Sequence, residues 1–159
     1  MYKRFLEWIG SAKGIRQLIN IYGPYFGAGV KVTYINKDFR QAKVSLPLRW
    51  YNRNYVGVHF GGSLYSMIDP FYMLLLMNNL GKDYIVWDKS ADIEFIKPGT
   101  GTVSANFIIT DAMLAEIKEK TANGDKFLPT YPVIITDEAG DIVAKANKTL
   151  YIRRKRASV

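Results

Sequence analysis

The chain has 159 residues, a net charge of +8, and 48% hydrophobic, 23% charged and 14% aromatic residues. That suits one domain with a sizeable core and excludes a disordered chain. With no cysteine and a single histidine, His59, disulfides, thiolate nucleophiles and multi-histidine metal sites are excluded. No metal or separate cofactor is expected, and any Ser-His-Asp triad has to be built on His59.

The opening segment, MYKRFLEWIGSAKGIRQLI, is interrupted by Glu7, Lys13 and Arg16 and lacks a signal-peptide core. The longest apolar stretch, Pro70 to Met77, is too short to span a bilayer, so a cytoplasmic protein without a membrane span is expected. Phe5, Trp8, Ile9, Ile15, Leu18 and Ile19 follow a helical rhythm broken by Gly10 and Gly14. Residues 1–26 therefore read as an N-terminal helical segment, either one short amphipathic helix or two half-helices, with Gly23-Pro24 and Gly27 marking a turn.

Val30, Val32 and Tyr34 alternate, as do Ala42, Val44, Leu46 and Leu48, which predicts a β-hairpin. Pro47 should end the second strand or mark an edge. From about 59 to 80 the chain is apolar on nearly every face, which predicts one long buried helix, kinked or begun at Pro70. Beyond Gly81 it becomes strand-rich. Ile85, Trp87, Ala91, Ile93 and Phe95 share one parity, with Lys89 on the same parity as a snorkelling residue or a bulge. Val103 to Ile109 is the next strand, 112–121 a short helix, and 127–136 and 141–153 the last two strands, joined by a turn at Glu138-Ala139-Gly140. Short connections favour antiparallel pairing, so the expected α+β architecture is an antiparallel sheet of about six strands around one helix, in a single domain over 1–159.

Between Asn54 and Gly81 the only charged side chain is Asp69. A lone carboxylate in an apolar run has to be paired, hydrogen-bonded or functional, because burying it unpaired is costly. Gly61 and Gly62 open the predicted helix, where unpaired amides can receive a carbonyl oxygen, or where small residues simply allow close packing. Asp69 reads either as a base with a raised pKa or, through the Asp69-Pro70 pair, as a helix cap. His59 reads as a carbonyl-orienting group or a hydrogen-bonded loop histidine, and Asn54 as a loop brace or a substrate contact. Ser63, Tyr65 and Ser66 add hydroxyls near the helix start.

These residues and this order of elements resemble the hotdog-fold superfamily, and within it the small acyl-CoA thioesterases. Their signature is Asn-x-x-Gly-x-x-His-Gly-Gly, with Asp after six further residues. Asn54, Gly57, Gly61, Gly62 and Asp69 stand in that register, Phe60 fills the histidine slot, and His59 comes one residue early. The chain is thus similar to an uncharacterised, thioesterase-like branch with HFGG in place of HGG. The resemblance covers about residues 28 to 153 and leaves the N-terminal helical segment outside.

The resemblance implies hydrolysis of an acyl-CoA or related thioester at a subunit interface, in a homodimer or tetramer, with CoA entering only as part of the substrate. It makes Asp69 the base or nucleophile, with His59 and Asn54 beside it. Gly57, Phe60, Gly61, Gly62 and Ser66 would contact substrate, and Met67, Phe71 and Leu74 would line an acyl tunnel. Two alternatives are a non-catalytic acyl-binding hotdog protein and a hotdog dehydratase or hydratase using His59 and Asp69. Arg153-Arg154-Lys155-Arg156 reads as a solvated tail or a phosphate contact, and nucleic acid is not expected because no aromatic-basic motif accompanies the charge.

Overall fold

The computed structural model describes residues 10–155; Phe5, Trp8, Ile9 and Arg156 lie outside them. Two helices open the described chain, α1 (Ala12–Ile21) and α2 (Gly23–Ala28). The Ser11 hydroxyl caps α1 by accepting from the Gly14 amide at 3.1 Å. Gly23-Pro24, expected as a turn, instead begins α2: a proline fits a first turn because its missing N–H would have no helical partner there. The helix stops at Gly29, whose φ of 80° is left-handed.

The hairpin forms as predicted from β1 (Lys31–Ile35) and β2 (Gln41–Leu46), and β2 ends one residue before Pro47. Five further strands and a helix follow the central apolar segment: β3 (Tyr84–Phe95), β4 (Val103–Ile108), α5 (Asp111–Lys120), β5 (Lys126–Phe127), β6 (Thr130–Thr136) and β7 (Ile142–Arg154). They build one antiparallel seven-stranded sheet in the order β1-β2-β4-β6-β7-β3, with the two-residue β5 also on β7. Because β2 lies inside the sheet, Pro47 terminates a strand and does not mark an edge. The long strand β3 is an outer strand, hydrogen-bonded on one side only. Arg153 ends the predicted last strand, and β7 runs one residue further to take in Arg154; the Arg153 guanidinium donates to the Gly124 carbonyl.

The central segment is not one helix. It divides into α3 (Gly61–Ser66) and α4 (Phe71–Leu80), with a turn over 67–70. Pro70 is the physical cause, since it has no N–H to offer the turn before it. Met67, Ile68, Phe71, Leu75 and Leu76 are fully buried against the sheet. The Phe71 and Phe107 rings lie 4.9 Å apart, and Tyr72 meets Phe107 edge-on while its hydroxyl donates to the Pro132 carbonyl at 3.1 Å. Burial of each such large apolar side chain contributes about 1.5–3 kcal/mol, so α4 is pinned by its all-round apolar surface and not by caps.

Strand β3 departs from its predicted parity in a way that matters for the site. The pairing with β7 slips between Asp88 and Ser90, leaving Lys89 as the bulge residue. Beyond the bulge Ala91 and Ile93 keep the expected face, but before it the faces exchange. Val86 turns inward, Trp87 stands 67% exposed, and Asp88 points inward.

Candidate active site

Asp69 does not cap its helix. The N-cap of α4 is Pro70, without a side-chain hydrogen bond, and the Asp69 carboxylate turns away toward the sheet. Its Oδ1 accepts from Nζ of Lys148 at 3.0 Å. Lys148 stands on β7 and is 1% exposed. The same Nζ lies 3.2 Å from Oδ1 of Asp88, a close ion pair without hydrogen-bond alignment, and 5.5 Å from the centre of the Tyr65 ring. One buried ammonium therefore serves two carboxylates, of which Asp69 is the open one, with its side chain 47% exposed against 21% for Asp88.

The charges divide accordingly. Burial works against the Lys148 ammonium, but the hydrogen bond to Asp69 and the negative charges of Asp69 and Asp88 outweigh it and leave its pKa above the usual lysine value. Burial raises the pKa of Asp88, and the shared cation offsets only part of that, so Asp88 takes up a proton more readily than a free aspartate. Tyr25 of α2 reaches the same neighbourhood. Its hydroxyl is buried and, among the described residues, unpartnered, and burial together with the negative charge of Asp69 and Asp88 keeps it protonated.

Asp69 opens into a cleft of about 440 Å³ between the N-terminal helices and α4. Ile19, Tyr22 and Tyr25 form one wall and Tyr65, Met73 and Leu74 the other. Of the side chains expected to line an acyl tunnel, Leu74 lines this cleft, whereas Met67 and Phe71 are sealed in the core. The N-terminal helices, outside the motif register, thus supply half of the cleft.

The loop half of the motif is tied to itself. His59 is 3% exposed, and its Nε2 lies 2.8 Å from the Gly101 carbonyl, which requires Nε2 to carry the hydrogen. Burial lowers its pKa and holds the ring neutral, with Nδ1 buried and unpartnered among the described residues. This is a loop histidine; its buried ring does not join Asp69 in the cleft. Asn54 likewise braces the loop, accepting from the Val56 and Val58 amides at 3.1 Å each. Gly57 supplies a left-handed φ of 86° at a tight turn, and Phe60 stands 57% exposed.

Gly61 and Gly62 form the first turn of α3, ahead of the Ser63 and Leu64 amides that already donate to the Phe60 carbonyl. Gly62 and Ser66 face a second hollow of about 520 Å³, and Ser66 also lines the Asp69 cleft, so the two hollows adjoin along α3. A side chain at Gly61 would press within 2.9 Å of the Phe95 ring near the end of β3, which sets the glycine turn beside the open edge of the sheet. Lys148, Tyr25 and Asp88 all stand outside the motif register. The signal for Lys148 was present: Ala144, Ala146, Lys148, Leu150 and Ile152 share the buried face of β7.

The sheet, its helices and the Asp69 turn together are those of the hotdog fold. Residues 12–152 match the family described as a domain of unknown function, DUF4442, and the chain belongs to that family. Among solved structures it is similar to a protein of unknown function from Pseudomonas aeruginosa described as a probable thioesterase. That match has 16% identity over 87% of this chain and 93% of the other, with a TM-score of 0.77. A Haemophilus influenzae thioesterase matches at 12% identity over 91% of each chain, TM-score 0.66. Thioesterase superfamily member 2 from Mus musculus matches at 13% identity over 88% of this chain and 96% of the other, TM-score 0.62. At such identities these likenesses establish the fold. No curated protein matches the chain in sequence.

Proposed function

We propose that the protein hydrolyses acyl thioesters, acyl-CoA or a close relative, with Asp69 as general base. The carrying observation is the way Asp69 is held. Oδ1 is fixed by buried Lys148, while Oδ2 has no partner among the described residues and the side chain stays half exposed in a largely apolar cleft. The acyl chain lies along Met73 and Leu74. Asp69 takes a proton from water, the water oxygen bonds to the thioester carbon, and the resulting oxyanion meets the free amides of Gly61 and Gly62. Collapse breaks the C–S bond, and the proton held by Asp69 passes to the departing sulfur.

The reading includes a homodimer. β3 offers a twelve-residue open edge with Trp87 67% and Phe95 55% exposed, and a second copy paired along it covers both. Gly61 beside Phe95 then lies at the subunit boundary, which is where the resemblance puts the site. The net charge of +8 suits the phosphates of CoA.

Free thiol released from a panel of acyl-CoAs tests the reading, with Asp69→Asn as the inactive control. One observation favours a second reading, a non-catalytic acyl-binding protein: the Lys148 ion pair spends part of the charge a base would use. Acyl-CoAs that raise the melting temperature with no thiol released would select it.

A further inference from the structure

Four side chains that stand out from one face of the molecule line neither hollow beside Asp69. The loop from Pro47 to Phe60 carries Trp50 at 80%, Tyr55 at 106% and Val56 at 76% exposure, and α2 beside it carries Phe26 at 73%. The two segments are joined: the Asn52 side-chain amide donates to the Ala28 carbonyl at 3.1 Å and to the Pro47 carbonyl at 3.0 Å. Trp50 stacks edge-on against Tyr51 at 5.6 Å. Large side chains are therefore held out in water on a braced scaffold, which a monomeric surface ordinarily avoids.

The charge around them is one-sided. Within α2 and residues 47–60 the only charged residues are Arg49 and Arg53, both basic. Arg49 and Arg53 are exposed and flank Trp50 and Tyr55 directly. Exposed tryptophan and tyrosine beside arginine is the composition that settles at a lipid–water boundary, where the ring lies among headgroups and the cation meets their phosphates.

We infer that this face, α2 and the Pro47–Phe60 loop, docks on an anionic lipid bilayer. A second copy is the poorer occupant, because a two-fold contact would set this positive surface against itself. Nucleic acid would leave Phe26 and Val56 without a use. Tyr22, 59% exposed, joins the face to the cleft that holds Asp69, so docking sets the mouth of that cleft toward the lipid. The inference does not depend on hydrolysis and stands or falls separately.

Sedimentation with vesicles tests it on the full chain, using phosphatidylcholine alone and an equal mixture with phosphatidylglycerol. The wild type should pellet with the mixed vesicles and not with phosphatidylcholine, and raised salt should release it. Arg49→Glu with Arg53→Glu should weaken binding by about tenfold or more, since each interfacial cation counts for about fivefold. Trp50→Ala with Tyr55→Ala should weaken it with the charge unchanged. Lys118→Glu with Lys120→Glu on α5 removes the same charge elsewhere and should leave most of the binding. Equal loss in that control would overturn the inference by reducing it to bulk charge. So would no binding to mixed vesicles, tighter binding to a single-stranded oligonucleotide, or a change of oligomeric state in the Trp50/Tyr55 variant.

Discussion

The loop around His59 and the cluster around Lys148 both hold buried polar side chains, and they differ in what they leave open. In the loop, Asn54 holds the Val56 and Val58 amides and His59 holds the Gly101 carbonyl, and the atom His59 has left over, Nδ1, is sealed inside the protein. In the cluster, one buried cation holds two carboxylates, and one of them still faces a cleft. Motif register alone does not separate these cases, because Asn54 and Asp69 both fall in it. What separates them is whether the side chain has capacity left where a cleft can reach it.

The largest expected effect falls on the cluster. Lys148→Met should lower stability by about 3 kcal/mol by chemical denaturation, the low end for a broken buried pair, because half-exposed Asp69 recovers some hydration. Activity should fall with it, and Lys148→Arg should restore part of the activity if Lys148 positions Asp69.

Next comes the loop. His59→Ala should cost about 1–3 kcal/mol by exposing an unpaired Gly101 carbonyl and opening space, yet leave the turnover of the folded fraction near that of wild type. A turnover loss without a stability loss would return His59 to the chemistry and revive the dehydratase reading.

The two regions should also answer pH with opposite signs. The lowered His59 pKa means the unfolded chain takes up that proton first, so the stability it supports is intact above pH 6.5 and is lost as pH falls through the lower folded value. The raised Asp88 pKa means the folded chain binds that proton first, so stability is gained as pH falls from the raised value toward 3.8. Denaturation curves against pH should lose the first slope in His59→Gln and the second in Asp88→Asn. The same sign in both differences would break the comparison.

The smallest effect should come from Phe60→Ala. Phe60 fills the motif's histidine slot but stands out in solvent, so stability should move by no more than about 0.5 kcal/mol.

Alternation along β2 and β4 and the all-apolar run of α4 were legible in the sequence, because one buried face imposes a period on the side chains; in β1 the predicted face holds only to Val32, since an irregularity in the pairing turns Tyr34 outward and Ile35 inward. Asp69 was legible through isolation, the sole charge between Asn54 and Gly81. Its partner lies 79 residues away, and local pattern carries no such pairing. Lys148 nevertheless broke the apolar rhythm of β7, and a lysine on a buried face implies a carboxylate opposite. Asp88 was hidden by the bulge at Lys89, which exchanges the faces of β3 and sends Trp87 outward. Tyr25 was hidden because Gly23-Pro24 has the composition of a turn and became a helix start once α1 and α2 met.

The central claim is that Asp69 is the group with chemistry left to do. Release of thiol from acyl-CoA by the wild type and Asp69→Asn, with thermal melting and oligomeric state recorded on the same samples, tests it most directly. Lys148 keeps Asp88 as a partner in the variant, so the fold should hold, while thiol release should drop by at least about 100-fold. A folded Asp69→Asn variant that releases thiol at the wild-type rate would contradict the account.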